Sequence, residues 1–121
     1  THPVDTTPHP AGCSGTVTIN VSPSRDVSGA PQFDWSPQCG ITHLTVTVQP
    51  NGIGDPAVMW SISAPENAQM GPPVIFGRVP AGATLQISAQ PLQSGSTYRV
   101  SIFSTIGGDG LTAEAEKTFV R

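Results

Sequence analysis

Residues 92–104 read Leu92-Gln-Ser-Gly-Ser-Thr-Tyr98-Arg-Val-Ser-Ile-Phe-Ser104, a Gly/Ser turn that runs straight into an alternating strand. Tyr98 is the first inward residue of that strand. In two-sheet β-sandwiches a tyrosine at such a corner packs its ring in the core and turns its hydroxyl back to a backbone group a few residues upstream. The arrangement satisfies a buried phenol, so a large aromatic can sit at the sandwich edge without an unpaired polar atom. The stretch speaks to architecture and names no reaction.

Working outward, the same period-2 signal recurs on both sides. Val17, Ile19 and Val21 alternate with Thr18 and Asn20; Leu44, Val46 and Val48 alternate with Thr45 and Thr47. Val58, Trp60 and Ile62 form a third alternating run, which points Met59 outward. Val74 to Val79 reads as a short edge strand ending at Pro80-Ala-Gly, and Leu85, Ile87 and Ala89 form the next strand. The last strand carries Leu111, Ala113, Ala115 and Phe119 on one face. Turn residues fill each gap, among them Pro50 to Pro56 and Gly107 to Gly110, and no helical period or internal repeat is present. Many short strands with frequent turns predict a sandwich.

The composition agrees. In 121 residues there are 13 Gly and 13 Pro, and only 11% of residues are charged, a profile suited to strands and turns rather than helices. Net charge is −3, and the five cations, Arg25, Arg78, Arg99, Lys117 and Arg121, are scattered. A phosphate backbone needs clustered cations, so nucleic acid is an unexpected partner. No apolar run approaches the roughly 18–20 residues of a membrane span. With Thr at position 1, either a leader was removed or the segment belongs to a longer protein.

Residues 1–15, THPVDTTPHPAGCSG, stand apart as an extended Pro/Thr/His-rich arm, with residues 16–121 as the sandwich. Cys13 and Cys39 flank the first strand region. They are either a disulfide of an exported protein or two buried thiols of a cytosolic one, and the scarcity of lysine with abundant Thr, Ser, Gly and Pro favours the exported reading.

Two motifs carry a family resemblance. Trp35-Ser-Pro37 looks like the Trp-x-Pro of fibronectin type III domains, and Leu92-x-x-Gly95-x-x-Tyr98-x-Val100 is similar to the motif that opens their strand F. The likeness extends to a variant met in exported bacterial proteins, through Trp35-Ser-Pro-Gln-Cys39-Gly40, Trp60, Pro72-Pro-Val-Ile-Phe76-Gly77 and Pro91-Leu92 to Tyr98. It spans residues 15–121 and implies an all-β, Greek-key, two-sheet sandwich of the fibronectin type III or immunoglobulin-like kind, used as a spacer, adhesion or interaction module. The Trp35 to Tyr98 stretch is longer than in the animal-type module, which implies an extra hairpin in the middle. No Arg-Gly-Asp occurs, so integrin-type adhesion is not implied.

Each chemistry-bearing group in the sequence has a structural account. His2, His9, His43 and Cys13 lack metal-ligand spacing, and a disulfide would consume the thiolate. His43, Asp34 and Asp55 have no nucleophile elbow beside them, and Glu114 and Glu116 share the outward face of one strand, where like charges discourage edge pairing. Gly107 to Gly110 lacks the lysine of a phosphate loop and the acids of a calcium loop. Asn20-Val-Ser22 matches a glycosylation sequon but sits on a strand. No catalytic, metal or cofactor residue is expected.

Trp35 and Tyr98 are expected in the core, while Met59, Phe76 and Phe103 fall where the pattern wants polar groups and are candidate partner contacts. His2, Pro3, Pro8, His9 and Pro10 are candidate contacts of the arm, since each proline lowers the entropy lost when an extended segment docks. The arm is expected either to attach to another polypeptide or to fold back on its own sandwich through Cys13. The leading functional reading is a non-catalytic, extracytoplasmic structural or interaction subunit with other protein subunits as partners, in a surface filament or at the outward face of a membrane complex. The alternative is a carbohydrate-binding or adhesive module, for which only Trp60 or Tyr98 offers an aromatic platform.

Overall fold

A computed structural model of the chain describes residues 12–23, 30–48, 57–105 and 111–121. Their strands are β1 (Thr18–Pro23), β2 (Pro31–Ser36), β3 (His43–Val48), β4 (Val58–Ser63), β5 (Val74–Ile75), β6 (Thr84–Ile87), β7 (Thr97–Thr105) and β8 (Leu111–Val120), with one 3-10 turn at Glu66–Ala68. They form two antiparallel sheets, ordered β1-β2-β5 and β6-β4-β3-β7-β8. Ile19, Phe33, Trp35 and Val74 from the first sheet share one buried cluster with Leu44, Val46, Trp60, Ile62, Tyr98, Val100 and Ile102 from the second. The ring of Phe33 meets that of Phe119 edge-on across the two sheets, with centroids 5.6 Å apart. The all-β expectation holds, with two sheets compatible with a sandwich.

β7 shows how the sequence writes this structure. Every second residue from Tyr98 to Ser104 is buried, and the alternation of small polar with apolar side chains suits a strand with one dry and one wet face. Tyr98 is 2% exposed. Its hydroxyl accepts a 2.7 Å hydrogen bond from the Gln93 amide, five residues upstream, so the corner predicted from the turn-plus-tyrosine pattern is present. Trp35 is buried as expected, and its indole N–H donates to the Cys39 carbonyl at 2.7 Å.

Three local expectations need correction. Val58 is 36% exposed rather than inward with Trp60 and Ile62, because the β3–β4 register shifts between Val46 and Thr47 and sets Val58 opposite the outer-face residue Thr47. The same shift leaves Met59 half-buried and packed against the core instead of simply outward. The strand expected over Val74 to Val79 stops at Ile75. Gly77 takes a φ of 87°, which glycine adopts at no steric cost, and the Arg78 amide closes the turn on the Ile75 carbonyl.

The middle of the chain does hold an additional strand, β6, at the free side of β4, but β5 of the other sheet lies between the two in sequence. The element is therefore a separate edge strand rather than one arm of a hairpin. Leu85 and Ile87 on it are 44% and 41% exposed, because both faces of β6 are left uncovered among the described residues. The turn expected at Gly107 to Gly110 lies outside the described residues.

Candidate functional site

The chain enters the fold at one end of the sandwich, and that entry is tightly fixed. Gly12 forms a parallel bridge with Gly40, and the Cys13 amide donates to the Gly40 carbonyl at 2.8 Å. Cys13 and Cys39 are bonded, with Cα atoms 4.8 Å apart, and both are buried. A buried disulfide is compatible with an oxidising compartment. Gly12 lies against the Gln69 amide and the Ser104 hydroxyl so closely that a Cβ there would sit 3.0 Å from the Gln69 head group. Gln69 and Ser104 are themselves buried and joined, Ser104 Oγ donating to Gln69 Oε1 at 2.8 Å. Gln69 Nε2 also donates to the Glu66 carbonyl, so a buried amide that would be costly unpaired is satisfied on both sides. Any side chain at position 12 would have to disturb this pair.

Beside this anchor lies the outer face of the larger sheet. Strand pairing puts Ser63, His43, Phe103 and Glu114 in one row across β4, β3, β7 and β8, and Ser61, Thr45, Ser101 and Glu116 in the next. The His43 ring stacks on Phe103 with centroids 4.2 Å apart and an 11° interplanar angle. Its Nδ1 shares a 3.0 Å hydrogen bond with Oγ1 of buried Thr42, which in turn donates to the Phe103 carbonyl. Burial in this stack lowers the His43 pKa from its ordinary value of 6.5, so the neutral ring is favoured near neutral pH. Thr45 and Ser61 share a hydroxyl–hydroxyl bond at 3.3 Å, and Arg99 reaches Glu116 at 3.8 Å. That ion pair is solvent-facing and adds little stability. Chemically this face offers hydroxyls, two carboxylates and one shielded aromatic pair.

The candidate residues from the sequence separate accordingly. Phe76 lies in the turn after β5 and packs edge-on against Trp60, with centroids 5.3 Å apart, closing the core near β4. Met59 also leans on the core, so of the three apolar candidates Phe103 alone belongs to the outer face, half-buried under His43. Trp60 and Tyr98 are both buried, so neither presents a ring face to solvent. His2, Pro3, Pro8, His9 and Pro10 lie outside the described residues. Among the described residues no three His, Cys, Asp or Glu side chains gather as a cation site. No described helix is long and apolar enough to cross a membrane. The Gly12, Gln69 and Ser104 contact was missed, because its partners are 57 and 92 residues away in sequence and carry no shared motif. No protein-family profile matches the chain, and no curated protein or solved structure is significantly similar to it.

Proposed function

We propose that the chain is a non-catalytic, extracytoplasmic subunit that serves structure and interaction within a larger assembly, a surface filament or the outward face of a membrane complex. The observation that carries this reading is the arm root. A Pro/Thr/His-rich segment is followed immediately by Gly12 and Cys13, which are clamped by a backbone bridge, a disulfide and a buried amide. So firm an attachment suits a segment that transmits load or holds a partner at a defined angle, since little conformational freedom remains at its base. His43, the one histidine among the described residues, stacks on Phe103, and the Thr42 hydroxyl it bonds is buried and donates to the Phe103 carbonyl, which suits a scaffold.

The sandwich in this reading is of the fibronectin type III or immunoglobulin-like, Greek-key kind. Support comes from the tyrosine corner and from the sheet orders, in which β1, β2 and β5 correspond to strands A, B and E, while β4, β3, β7 and β8 correspond to C′, C, F and G. β6 departs from that pattern by following β5 in sequence. The test is removal of residues 1–11 from the protein in its native cell, with assembly read on native gels of envelope fractions and folding read by thermal melting of the purified chain. Loss of incorporation with a retained cooperative melt is expected. Unchanged incorporation would overturn the reading.

A further inference from the structure

At the end of the sandwich opposite the arm root lies a cleft of about 440 Å³, within the size range of sites that hold a small ligand or peptide segment. It opens between the edge strands of the two sheets, β1 and β8. Val21, Pro23, Pro31 and Phe119 give it apolar walls, and Lys117 and Arg121 give it cations. Beside them Val120 is 66% exposed. Charge is segregated along β8, with Glu114 and Glu116 in the half nearer the arm root and Lys117 and Arg121 in the half at the cleft.

The two features sit at opposite poles and point the same way. Ser104 lies beside Gly12, and Tyr98 pairs with Phe119 in the cleft wall; Tyr98 to Ser104 along β7 spans about 20 Å at roughly 3.4 Å per residue. Because the Gly12–Gly40 bridge is parallel, the chain at Gly12 runs in the same sense as the chain at Gly40, which leads into β3 and the body of the fold. Traced backwards from Cys13, the chain at Gly12 heads away from the cleft. Reversing it would need a turn within residues 1–11, where Pro8 and Pro10 stiffen the chain toward an extended helix.

We infer that residues 1–11 of one copy dock in the β1/β8 cleft of the next copy, joining chains end to end; this rests on the arm being an attachment segment, and it names the partner. An extended arm of that length reaches about 34 Å at roughly 3.1 Å per residue, enough to cross between bodies and lie along the cleft. Val4 and the prolines match the apolar walls, and Asp5, the arm's one carboxylate, matches Lys117. Pro-rich extended segments dock well in apolar grooves because they are already ordered. The contact is heterologous, one surface meeting a different one, so it builds an open filament or a ring unless two copies exchange arms reciprocally.

The experiment uses the full chain as an equal mixture of ordinary and heavy-isotope copies at millimolar concentration, treated with a zero-length carbodiimide. The reagent activates the Asp5 carboxylate, the Lys117 amine displaces the activated group to form an amide, and the reagent leaves as its urea. Expected are Asp5–Lys117 peptide pairs of mixed isotope and a ladder of oligomers in sedimentation. Lys117→Glu weakens association about threefold to fivefold, as loss and reversal of an exposed pair should. Adding Asp5→Lys to it restores association. Lys117 is exposed, and a retained thermal melt shows that each variant is folded. Pairs of a single isotope would overturn the inference by placing the arm in its own cleft. Absence of both Asp5 cross-links and oligomers would overturn self-pairing, while the attachment role is judged separately by envelope incorporation after removal of residues 1–11.

Discussion

Reduction of the Cys13–Cys39 bond is the perturbation whose size follows most directly from the fold. The bond separates its partners by 26 residues. On the chain-entropy model a loop of that length removes about 12 cal/mol/K from the unfolded ensemble, or about 3.5 kcal/mol at 25 °C. For a chain of 121 residues, unfolding entropy near the midpoint is about 0.25 kcal/mol/K, so the melting temperature should fall by about 14 °C on reduction. Reduction is a cleaner test than substitution, because both sulfurs are buried and a polar replacement would add its own penalty. The assay is equilibrium unfolding in guanidinium with and without dithiothreitol, the bond state confirmed by mass. A single cooperative transition should persist, since the cluster around Trp35, Leu44 and Val100 does not depend on the bond. The slope with denaturant should rise, because the reduced chain exposes more surface when it unfolds. A loss below about 1 kcal/mol with the bond demonstrably broken would refute the entropic reasoning.

Tyr98→Phe removes the hydroxyl that accepts from Gln93 while keeping the ring; we expect a loss of about 1 kcal/mol, read by denaturant melts, and no loss would show the corner bond to be worthless. Leu44→Ala, at a fully buried position, should cost about 2–5 kcal/mol, whereas Leu85→Thr on exposed β6 should stay within about 0.5 kcal/mol; equal costs would contradict the edge placement of β6. For His43 the sign is set by burial. Its folded pKa lies below 6.5, so the unfolded state takes up a proton first, and the stability contributed by the neutral ring is present above 6.5 and lost as pH falls through the folded pKa. Melting between pH 7.5 and 5 should therefore decline more steeply for the native chain than for His43→Phe, which keeps a stacked ring, and identical slopes would remove His43 from the account.

What the sequence made legible was whatever depends on neighbours in sequence. The Gly95 turn with Tyr98, the alternation of Leu44 and Val46, and the position of Trp35 each report a strand with one dry face, a property of a few adjacent residues. Register shifts are not local in that way. The shift at Val46/Thr47 between β3 and β4 carries no residue signature, and it is what exposes Val58 and tucks Met59 inward. Alternation in Leu85 and Ile87 announced a strand but not its place in the sheet, where both faces of β6 stay exposed. The arm root and the cleft were hidden for a further reason. Each is made where distant segments meet, Gly12 with Ser104 and Val21 with Phe119, and nothing in one segment encodes the other.

Among the described residues β6 and β8 are the outer strands of the larger sheet, and they are protected by opposite means, a difference that bears on how copies can meet. β6 is four residues long, uncharged and kinked by a register shift against β4 at Ser61/Ile62. A short, irregular edge offers few aligned amides to a second strand. β8 is ten residues long, regular over most of its length, and would be the more hazardous edge. Its protection is charge. Glu114 and Glu116 stand on the outer face, and Lys117, opposite the buried Val100, sits on the inner face of an edge strand. An inward charge at an edge prevents another sheet from continuing across it, since the ammonium would be trapped between apolar layers. Such a barrier does not exclude a narrow segment that brings its own carboxylate and makes few backbone bonds. Pro3, Pro8 and Pro10 deprive the arm of the amides a full strand needs, and Asp5 supplies the counter-charge. The edge that resists indiscriminate sheet growth is thus the one suited to a proline-broken, acidic partner, and specificity between copies would come from the same lysine that blocks aggregation.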